Sequence, residues 1–297
     1  FMAVRQICTP EVREIGMEEA AEAISLSLIK SVEHYTSDLD GPAVAFSGGL
    51  DSALIAQVCG DRVKGVRLFT VGLEGVAELE DAERMAGEMG LPIKIVAHKE
   101  EDVESTLCRA VWASEKSDPL NVSIAIPILW TAKSARESGY RAILYGQGGD
   151  EIFGGYNRYL TVYRNLGAEA LRRALCTDAA NLHQEGFDRD EKLSSSVGVE
   201  ARFPYGDYGL IEFALSLPVS LRISSVDDPL RKRVLRKAAE RLGVPRDSLE
   251  GRKRAIQYST GVNRVLKRLA RSEGTTPRAY IQRLCHVMSK PDSPTII

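Results

Sequence analysis

The hexapeptide SGGLDS at residues 47–52 combines two glycines, two hydroxyl groups and one carboxylate. Glycine lets a backbone approach a ligand closely, and a helix N-terminus offers unpaired N–H groups to an anion. The carboxylate of Asp51 would repel a bare phosphate. Mg²⁺ bound between the Asp51 carboxylate and the phosphate would remove that repulsion. This cation prefers oxygen ligands and keeps substrate phosphates among them. The hexapeptide therefore predicts a Mg²⁺-assisted phosphate site, to which Ser47 and Ser52 add hydroxyl donors.

Two other catalytic loops do not fit this stretch. A Walker A loop requires GxxxxGK[ST], and the chain contains no Gly-Lys pair. A serine-hydrolase elbow requires glycine two residues before the serine, where this chain has Ala45. An ordinary glycine turn, with Asp51 or Ser52 capping the following helix, stays open as a structural alternative.

The elements that must position the loop indicate an α/β fold. Short apolar runs that predict strands alternate with patterns of helical periodicity. The predicted strands are 42–46, 66–71, 92–97 and 141–146, and the predicted helices between them are 51–59, 78–90 and 122–138. This order predicts an open parallel sheet with helices on both faces, a fold that binds ligands at the carboxyl ends of its strands. Two of these ends carry SGGLDS and GQGGDE (146–151).

The remaining sequence predicts helices and a three-part organisation. Residues 1–40 are an N-terminal helical segment that packs on the sheet, because apolar residues recur at helical spacing from 17 to 35. Residues 41–165 form the α/β core. Residues 166–297 predict a helical part that completes the site at the sheet edge, either as a separate unit or as one domain with the core. We interpret the basic run RKRVLRK at 231–237 as a solvated helix face.

Composition argues against several classes of function. The formal net charge of −2 gives no reason to expect a strongly basic surface for nucleic acid. No apolar run approaches the ~18 residues that span a bilayer, and no signal-peptide pattern is present, so we expect a cytoplasmic protein without a membrane partner. Five cysteines without a CxxC pair indicate neither a zinc ribbon nor a disulfide framework.

Several segments, taken in chain order, resemble one enzyme family. SGGLDSA resembles the PP-loop of the ATP pyrophosphatases, whose fold is adenine nucleotide alpha hydrolase-like and which split ATP into AMP and pyrophosphate. Further segments resemble the synthetase domain of asparagine synthetases and the related β-lactam synthetases. They are TVGLEGVAELEDAERMAGEMGL (70–91), YGQGGDEIFGGY (145–156), SVGVEARFPYGD (196–207) and RAIQYSTG (254–261). The resemblance covers about residues 17–265.

This resemblance implies ATP and Mg²⁺ as cofactors and assigns roles to matching positions. The implied metal ligands are Asp51 and Asp150, and either Lys253 or Arg254 would stabilise charge during transfer. Glu200 would border the acceptor site, although a structural ion pair with Arg202 is an equal alternative. The implied nucleotide contacts are Ser47, Gly48, Gly49, Asp51, Ser52, Val71, Gly72 and Gly146.

The resemblance also implies a reaction, although no clear match fixes an aspartate-binding set, and the sequence departs from the family pattern at two further points. The implied reaction is adenylation of a carboxylate, aspartate above all, followed by attack of ammonia or an amine. The glutaminase domain of the family is missing, so we expect ammonia from solution or from a separate glutaminase subunit. Gln147 occupies a position where the family has glutamate or tyrosine, and a neutral amide cannot take a proton. A non-catalytic ATP-binding relative, and an amide or lactam synthetase for another carboxylate, therefore remain alternatives.

Overall fold

A single parallel sheet organises the computed structural model, which describes residues 10–251 and 255–288. Its five strands lie in the order β3-β2-β1-β4-β5. They are β1 (Ala43–Ala45), β2 (Arg67–Leu73), β3 (Ile93–His98), β4 (Ala142–Leu144) and β5 (Glu200–Arg202). Because β1 pairs with both β2 and β4, the loops after β1 and β4 emerge side by side at one edge of the sheet.

Helices cover both faces of the sheet and form most of the second half of the chain. The helices up to β5 are α1 (Met17–Thr36), α2 (Leu50–Arg62), α3 (Ala77–Glu88), α4 (Glu100–Ser114), α5 (Pro119–Glu137), α6 (Gly149–Phe153), α7 (Asn157–Leu182) and α8 (Asp188–Ser195). Those after β5 are α9 (Tyr208–Ser216), α10 (Val219–Arg222), α11 (Arg233–Arg241), α12 (Arg246–Glu250), α13 (Ile256–Ser259), α14 (Val262–Ser272) and α15 (Pro277–Met288). A π-helical turn, His183–Phe187, separates α7 from α8.

The predicted fold class is confirmed, and the structure adds elements that were not predicted. All four predicted strands are present and parallel, and helices connect them. The prediction that β-structure stops near residue 165 is wrong, because β5 pairs with β4 at the sheet edge. Helix α4 was also not predicted. In the described part of the chain, no helix is both long and apolar enough to cross a membrane.

The apolar pattern of α1 explains how the N-terminal segment packs. Ala20, Ile24, Leu28 and Val32 lie on one stripe and are fully buried. Helix α1 contacts α11 and α2, and its buried residues belong to the same hydrophobic core as those of the sheet and of the later helices. The first helix therefore joins an element at the start of the sheet to one near the end of the chain.

Candidate active site

The loop after β1 is held in shape by its own serines. Ser52 Oγ accepts a hydrogen bond from the Ser47 N–H at 3.1 Å and lies 3.0 Å from the Gly49 carbonyl oxygen, to which it donates. Gly48 has a φ of +70°, and a Cβ there would lie 2.0 Å from Met85 Cε. The positive φ favours glycine at 48, whereas the contact with the flexible end of Met85 could be relieved by movement of that side chain. The loop ends at the N-terminus of α2, as an anion site requires.

The loop after β4 packs directly on the first turn of α2. A Cβ on Gly146 would lie 2.9 Å from the Ser52 nitrogen, and one on Gly149 would lie 2.6 Å from Asp51 Oδ1. Gly146 thus lets the two backbones touch, and Gly149 leaves room for the Asp51 side chain. The contact brings the carboxylates of Asp51 and Asp150 to the same side of the sheet edge.

Lys232 lies between these two carboxylates. Its Nζ is 2.6 Å from each carboxylate oxygen of Asp51 and 2.7 Å from Asp150 Oδ1. The lysine is 4% exposed. Burial lowers the pKa of Lys232, and the Asp51 carboxylate opposes that shift. The interpretation of residues 231–237 as a solvated face is wrong at this position, because Lys232 precedes α11 and its side chain turns into the core.

An unusual backbone segment delivers Lys232 to this position. Arg231 and Lys232 have φ values of +53° and +50°, which side-chain-bearing residues rarely adopt. Asp228 Oδ1 accepts the N–H groups of Leu230 and Arg231 at 3.0 and 2.9 Å. The Arg231 side chain then donates to the Gly155 carbonyl oxygen at 3.0 Å. These bonds fix the two strained residues against the loop that follows α6.

Arg236 connects the backbone just before Lys232 to the C-terminal end of α12. Its guanidinium donates to the carbonyl oxygens of Leu230 and Arg231 at 2.8 and 2.9 Å. It also donates to the carbonyl oxygens of Leu249 and, at 3.4 Å, Gly251. Four acceptors from two segments converge on one planar donor group, which suits the fork geometry of arginine.

These residues line one cavity of about 1420 Å³ at the carboxyl edge of the sheet. Of the predicted nucleotide contacts at the end of β2, Val71 lines the cavity. Gly72 is not among the lining residues, and a Cβ on it would meet Val76 and Leu79 instead. The Leu73 N–H bonds to the Thr260 carbonyl oxygen at 3.0 Å, so the end of β2 is tied to the turn after α13.

A second compartment of the cavity lies beside the loop after β4. Gln147 packs so closely on Gly186, in the π-helical turn, that a Cβ there would lie 2.7 Å from its Nε2. Glu151 accepts a hydrogen bond from the Tyr156 hydroxyl at 2.6 Å. Burial raises the pKa of Glu151. The same cavity is also lined by Lys116, Asn121, Arg158, Asp178, Leu182 and Arg189, and we use the name second compartment for the part around Gln147 and Glu151.

Glu200 does not reach the cavity. It pairs with Ala142 at the amino end of β4, whereas the site lies at the carboxyl end. Its carboxylate forms a 2.9 Å salt bridge with Arg202, which also binds Asp38 at 2.6 Å. The prediction that Glu200 borders the acceptor site is therefore wrong, and the alternative, a structural ion pair with Arg202, is present. Lys253 and Arg254 lie outside the described residues; the cavity is lined by Gly251 and Ala255.

The arrangement fits a divalent cation with substrate phosphates as further ligands. Asp51 and Asp150 present oxygen atoms to one cationic position, held here by the ammonium of Lys232. Among residues 10–251 and 255–288 no cluster of three or more histidine, cysteine or acidic side chains could hold a metal. A two-carboxylate set is typical of Mg²⁺, which takes its other ligands from water and phosphate.

Comparison with known proteins finds one family along most of the chain. Residues 24–167 and 163–285 match the family described as Asparagine synthase. A putative asparagine synthetase [glutamine-hydrolyzing] 1 of Methanocaldococcus jannaschii is 30% identical over 292 residues, which are 89% of this chain and 54% of that protein. Asparagine synthetase [glutamine-hydrolyzing] 1 of Arabidopsis thaliana is 29% identical over 233 residues, 74% of this chain and 39% of that protein.

The chain thus spans about half the length of the archaeal relative and less of the plant one. Among solved structures, an NH3-dependent NAD synthetase from Campylobacter jejuni has a TM-score of 0.41 at 14% identity, over 93% of this chain and 98% of that one.

Proposed function

The chain belongs to the asparagine synthase family of ATP-dependent carbon–nitrogen ligases, and we propose that it activates a carboxylate as its adenylate and transfers nitrogen to it. The products would be an amide, AMP and pyrophosphate, with aspartate as the first substrate to test and ammonia or an amine as nitrogen donor. One observation carries the proposal. The Asp51, Lys232 and Asp150 side chains converge beside a glycine turn and a helix N-terminus.

ATP has a place along this cavity. The pyrophosphate portion would bind the loop of Ser47, Gly48, Gly49 and Ser52, whose N–H groups and hydroxyls are donors at the start of α2. The adenine would lie at the end of β2 near Val71. The close packing of the two loops supports Gly146 as a neighbour of the phosphates, because its backbone reaches the Ser52 nitrogen.

Mg²⁺ would be held by Asp51 and Asp150 and would supply charge neutralisation to the phosphates. Lys232, whose ammonium contacts both carboxylates here, would move aside from them when Mg²⁺ binds and would contribute a second positive charge next to the phosphates. When the substrate carboxylate attacks the α-phosphorus, the bond to the leaving pyrophosphate breaks and negative charge grows on it. A buried ammonium next to that position stabilises the charge more strongly than it would in water. Lys253 or Arg254 remains a proposed further cation.

The nitrogen transfer step uses the second compartment. Ammonia or an amine attacks the acyl carbon of the adenylate, the new carbon–nitrogen bond forms, and AMP leaves with the electron pair of the broken carbon–oxygen bond. The nitrogen loses one proton to solvent as the neutral amide forms. The relatives are named as glutamine-hydrolysing, which is a property of those proteins. We therefore propose ammonia as the first donor to test, and glutamine with a partner glutaminase as the second.

Gln147 supports a second candidate function. Its neutral amide lines the compartment and cannot accept a proton from the attacking nitrogen. A protein that binds ATP but transfers nothing would retain the phosphate site and lose this step. The same residue also fits an amide or lactam synthetase that acts on a different carboxylate.

Measurement of AMP and pyrophosphate tests the proposal. Purified protein with ATP and Mg²⁺ is incubated with a panel of carboxylates, aspartate first, each with and without ammonium. We expect both products with one carboxylate and an amide when ammonium is present. Asp51→Asn should abolish pyrophosphate release, whereas Asp61→Asn, an exposed carboxylate on the same helix α2, should not. ATP binding without AMP from any carboxylate would favour the non-catalytic candidate.

A further inference from the structure

Most carboxylates that line the cavity are already held by cations. Asp51 and Asp150 share Lys232. Asp178 is bound by Arg158 at 2.8 Å, and the buried Asp190 is bound by Arg189 at 2.8 Å. On the other side of the cavity, Arg84 binds Asp81 and Asp247. The charges of these groups are compensated within the protein.

Glu151 differs from this pattern. It lines the same cavity but is only 9% exposed. Oε1 accepts the hydrogen bond from Tyr156, and Oε2 accepts none from any residue within 10–251 or 255–288. Lys232 is near enough to favour the charged form of Glu151, but its ammonium makes its direct contacts with Asp51 and Asp150. A carboxylate oxygen in this state is costly, because burial removes its water without replacing the lost hydrogen bonds.

The surroundings of Glu151 favour a small positively charged ligand. Tyr156 and Arg158 also line the cavity, and the Arg158 guanidinium lies over the Tyr156 ring and is paired with Asp178. A protonated amino group offers up to three N–H donors and one positive charge, which together would satisfy Oε2 and offset the charge of Glu151. An anionic or apolar ligand group would leave that oxygen unsatisfied.

We propose that Glu151 forms the subsite for a protonated amino group of a substrate in the second compartment of the cavity. This inference rests on the proposed ligase function and names one contact within it. The shared ligand chemistry is an ammonium group. It has two sources in the reaction. One is the nitrogen donor, which would bind as ammonium and lose a proton to solvent before it attacks, and the other is an amino group carried by the carboxylate substrate.

The test compares Glu151→Gln, which keeps the shape but removes the charge, with wild-type protein. The Michaelis constants for ATP, for ammonium and for the carboxylate are measured, together with pyrophosphate release. We expect the constant for the amine that uses the subsite to rise roughly tenfold to a hundredfold, the range for losing a hydrogen bond to a charged group. The constant for ATP should not change. Glu212→Gln, an exposed glutamate on α9 outside the cavity, is the matched control.

Two comparisons distinguish the sources of the amino group. If the nitrogen donor uses the subsite, the constant for ammonium rises and that for the carboxylate does not. If the carboxylate substrate uses it, binding of aspartate weakens in Glu151→Gln, while binding of succinate, which has no amino group, stays the same. Glu151→Asp keeps the charge on a shorter side chain, so its Michaelis constant for the amine should lie between those of wild type and Glu151→Gln. If Glu151→Gln does not fold, Glu151→Asp is used in its place.

Three results would overturn the inference. Unchanged constants for ammonium and for aspartate would show that no amino group binds there. An increased Mg²⁺ requirement with unchanged constants for both amines would make Glu151 a metal ligand instead. Should wild type form no AMP with any carboxylate, the ligase function fails, and calorimetric titration of ammonium and aspartate still decides on the subsite. Equal binding to wild type and Glu151→Gln would then refute it.

Discussion

The hydroxyl of Ser248 donates a 2.9 Å hydrogen bond to the carbonyl oxygen of Gly48, across 200 positions of sequence. Ser248 is 2% exposed and lies on α12. Gly48 is the residue with positive φ in the loop after β1. Helix α12 therefore supports the loop from outside the sheet, and the Arg236 bonds to Leu249 and Gly251 connect the same helix to the Lys232 segment.

Replacing Ser248 with alanine should weaken ATP binding. The change removes one buried hydrogen bond, worth about 0.5–1.5 kcal/mol, from the carbonyl that shapes the loop. We expect a roughly two- to tenfold higher Michaelis constant for ATP in a pyrophosphate-release assay, with a smaller effect on kcat. Ser272→Ala removes an exposed serine hydroxyl at the end of α14 and should leave both constants unchanged. Wild-type ATP affinity in Ser248→Ala would argue against a supporting role for α12.

Lys232→Met should lower the Tm of the protein, and added Mg²⁺ should restore part of the loss. The variant leaves Asp51 and Asp150 buried without their shared cation, a loss of about 3–5 kcal/mol when one partner of a buried ion pair is removed. We expect a lower Tm than wild type in metal-free buffer and a larger rise in Tm on adding Mg²⁺. Lys237→Met removes a half-exposed lysine paired with Glu18 and Glu240, and should change Tm little. A Tm of Lys232→Met that does not respond to Mg²⁺ would contradict the predicted metal site.

Arg236→Lys should reduce activity although it keeps the charge. Lysine lacks the planar fork that reaches four carbonyl oxygens, so the segment before α11 would hold Lys232 less firmly. We expect kcat/KM for ATP to fall by about tenfold, because two or more hydrogen bonds to a charged group are lost. Arg233→Lys is the control, since Arg233 is exposed on the same helix and donates to the Ser220 carbonyl oxygen. Equal effects of the two variants would refute a special role for Arg236.

Acid stability should depend on Asp38. The hydrogen bond from Arg202 holds the pKa of Asp38 at about 2, below its ordinary 3.8. The folded state therefore binds this proton less tightly than the unfolded state. Its stabilising contribution is present above about pH 4 and is lost as the pH falls through about 2. Urea unfolding at several pH values should show a shallower decline for Asp38→Asn than for wild type in this range. Parallel curves would contradict the prediction.

The fold and both loops could be predicted because their signals are local. Each predicted strand is a short apolar run next to a helical pattern, and SGGLDS and GQGGDE carry glycines at the positions where the backbones meet. Strand β5 escaped prediction because three residues at a sheet edge, with the sequence EAR, have no apolar run to detect. Its pairing depends on β4 and on the Arg202 contacts.

Lys232 could not be predicted because its partners are remote. It lies 181 positions from Asp51, and the basic residues around it have the spacing of a solvated helix face. The one local signal is Pro229, because proline interrupts a helix and so marks irregular backbone close to Lys232. It does not indicate that the Lys232 side chain is buried. Glu200 was misplaced for the opposite reason. The motif around it is recognisable, but the register with Ala142 puts its side chain at the wrong end of the sheet.

The wide spacing of these partners along the chain has a consequence for synthesis and folding. The phosphate loop, the two carboxylates, Lys232 and Ser248 come from the beginning, middle and end of the described chain. Contacts between such distant segments form late in folding, because the entropy cost of closing a long loop comes before the stabilisation that the contact provides. A nascent chain that has emerged only as far as β4 therefore has the glycine loop without its lysine. Under the proposed function, a chain synthesised only as far as β4 would therefore have no capacity to process ATP.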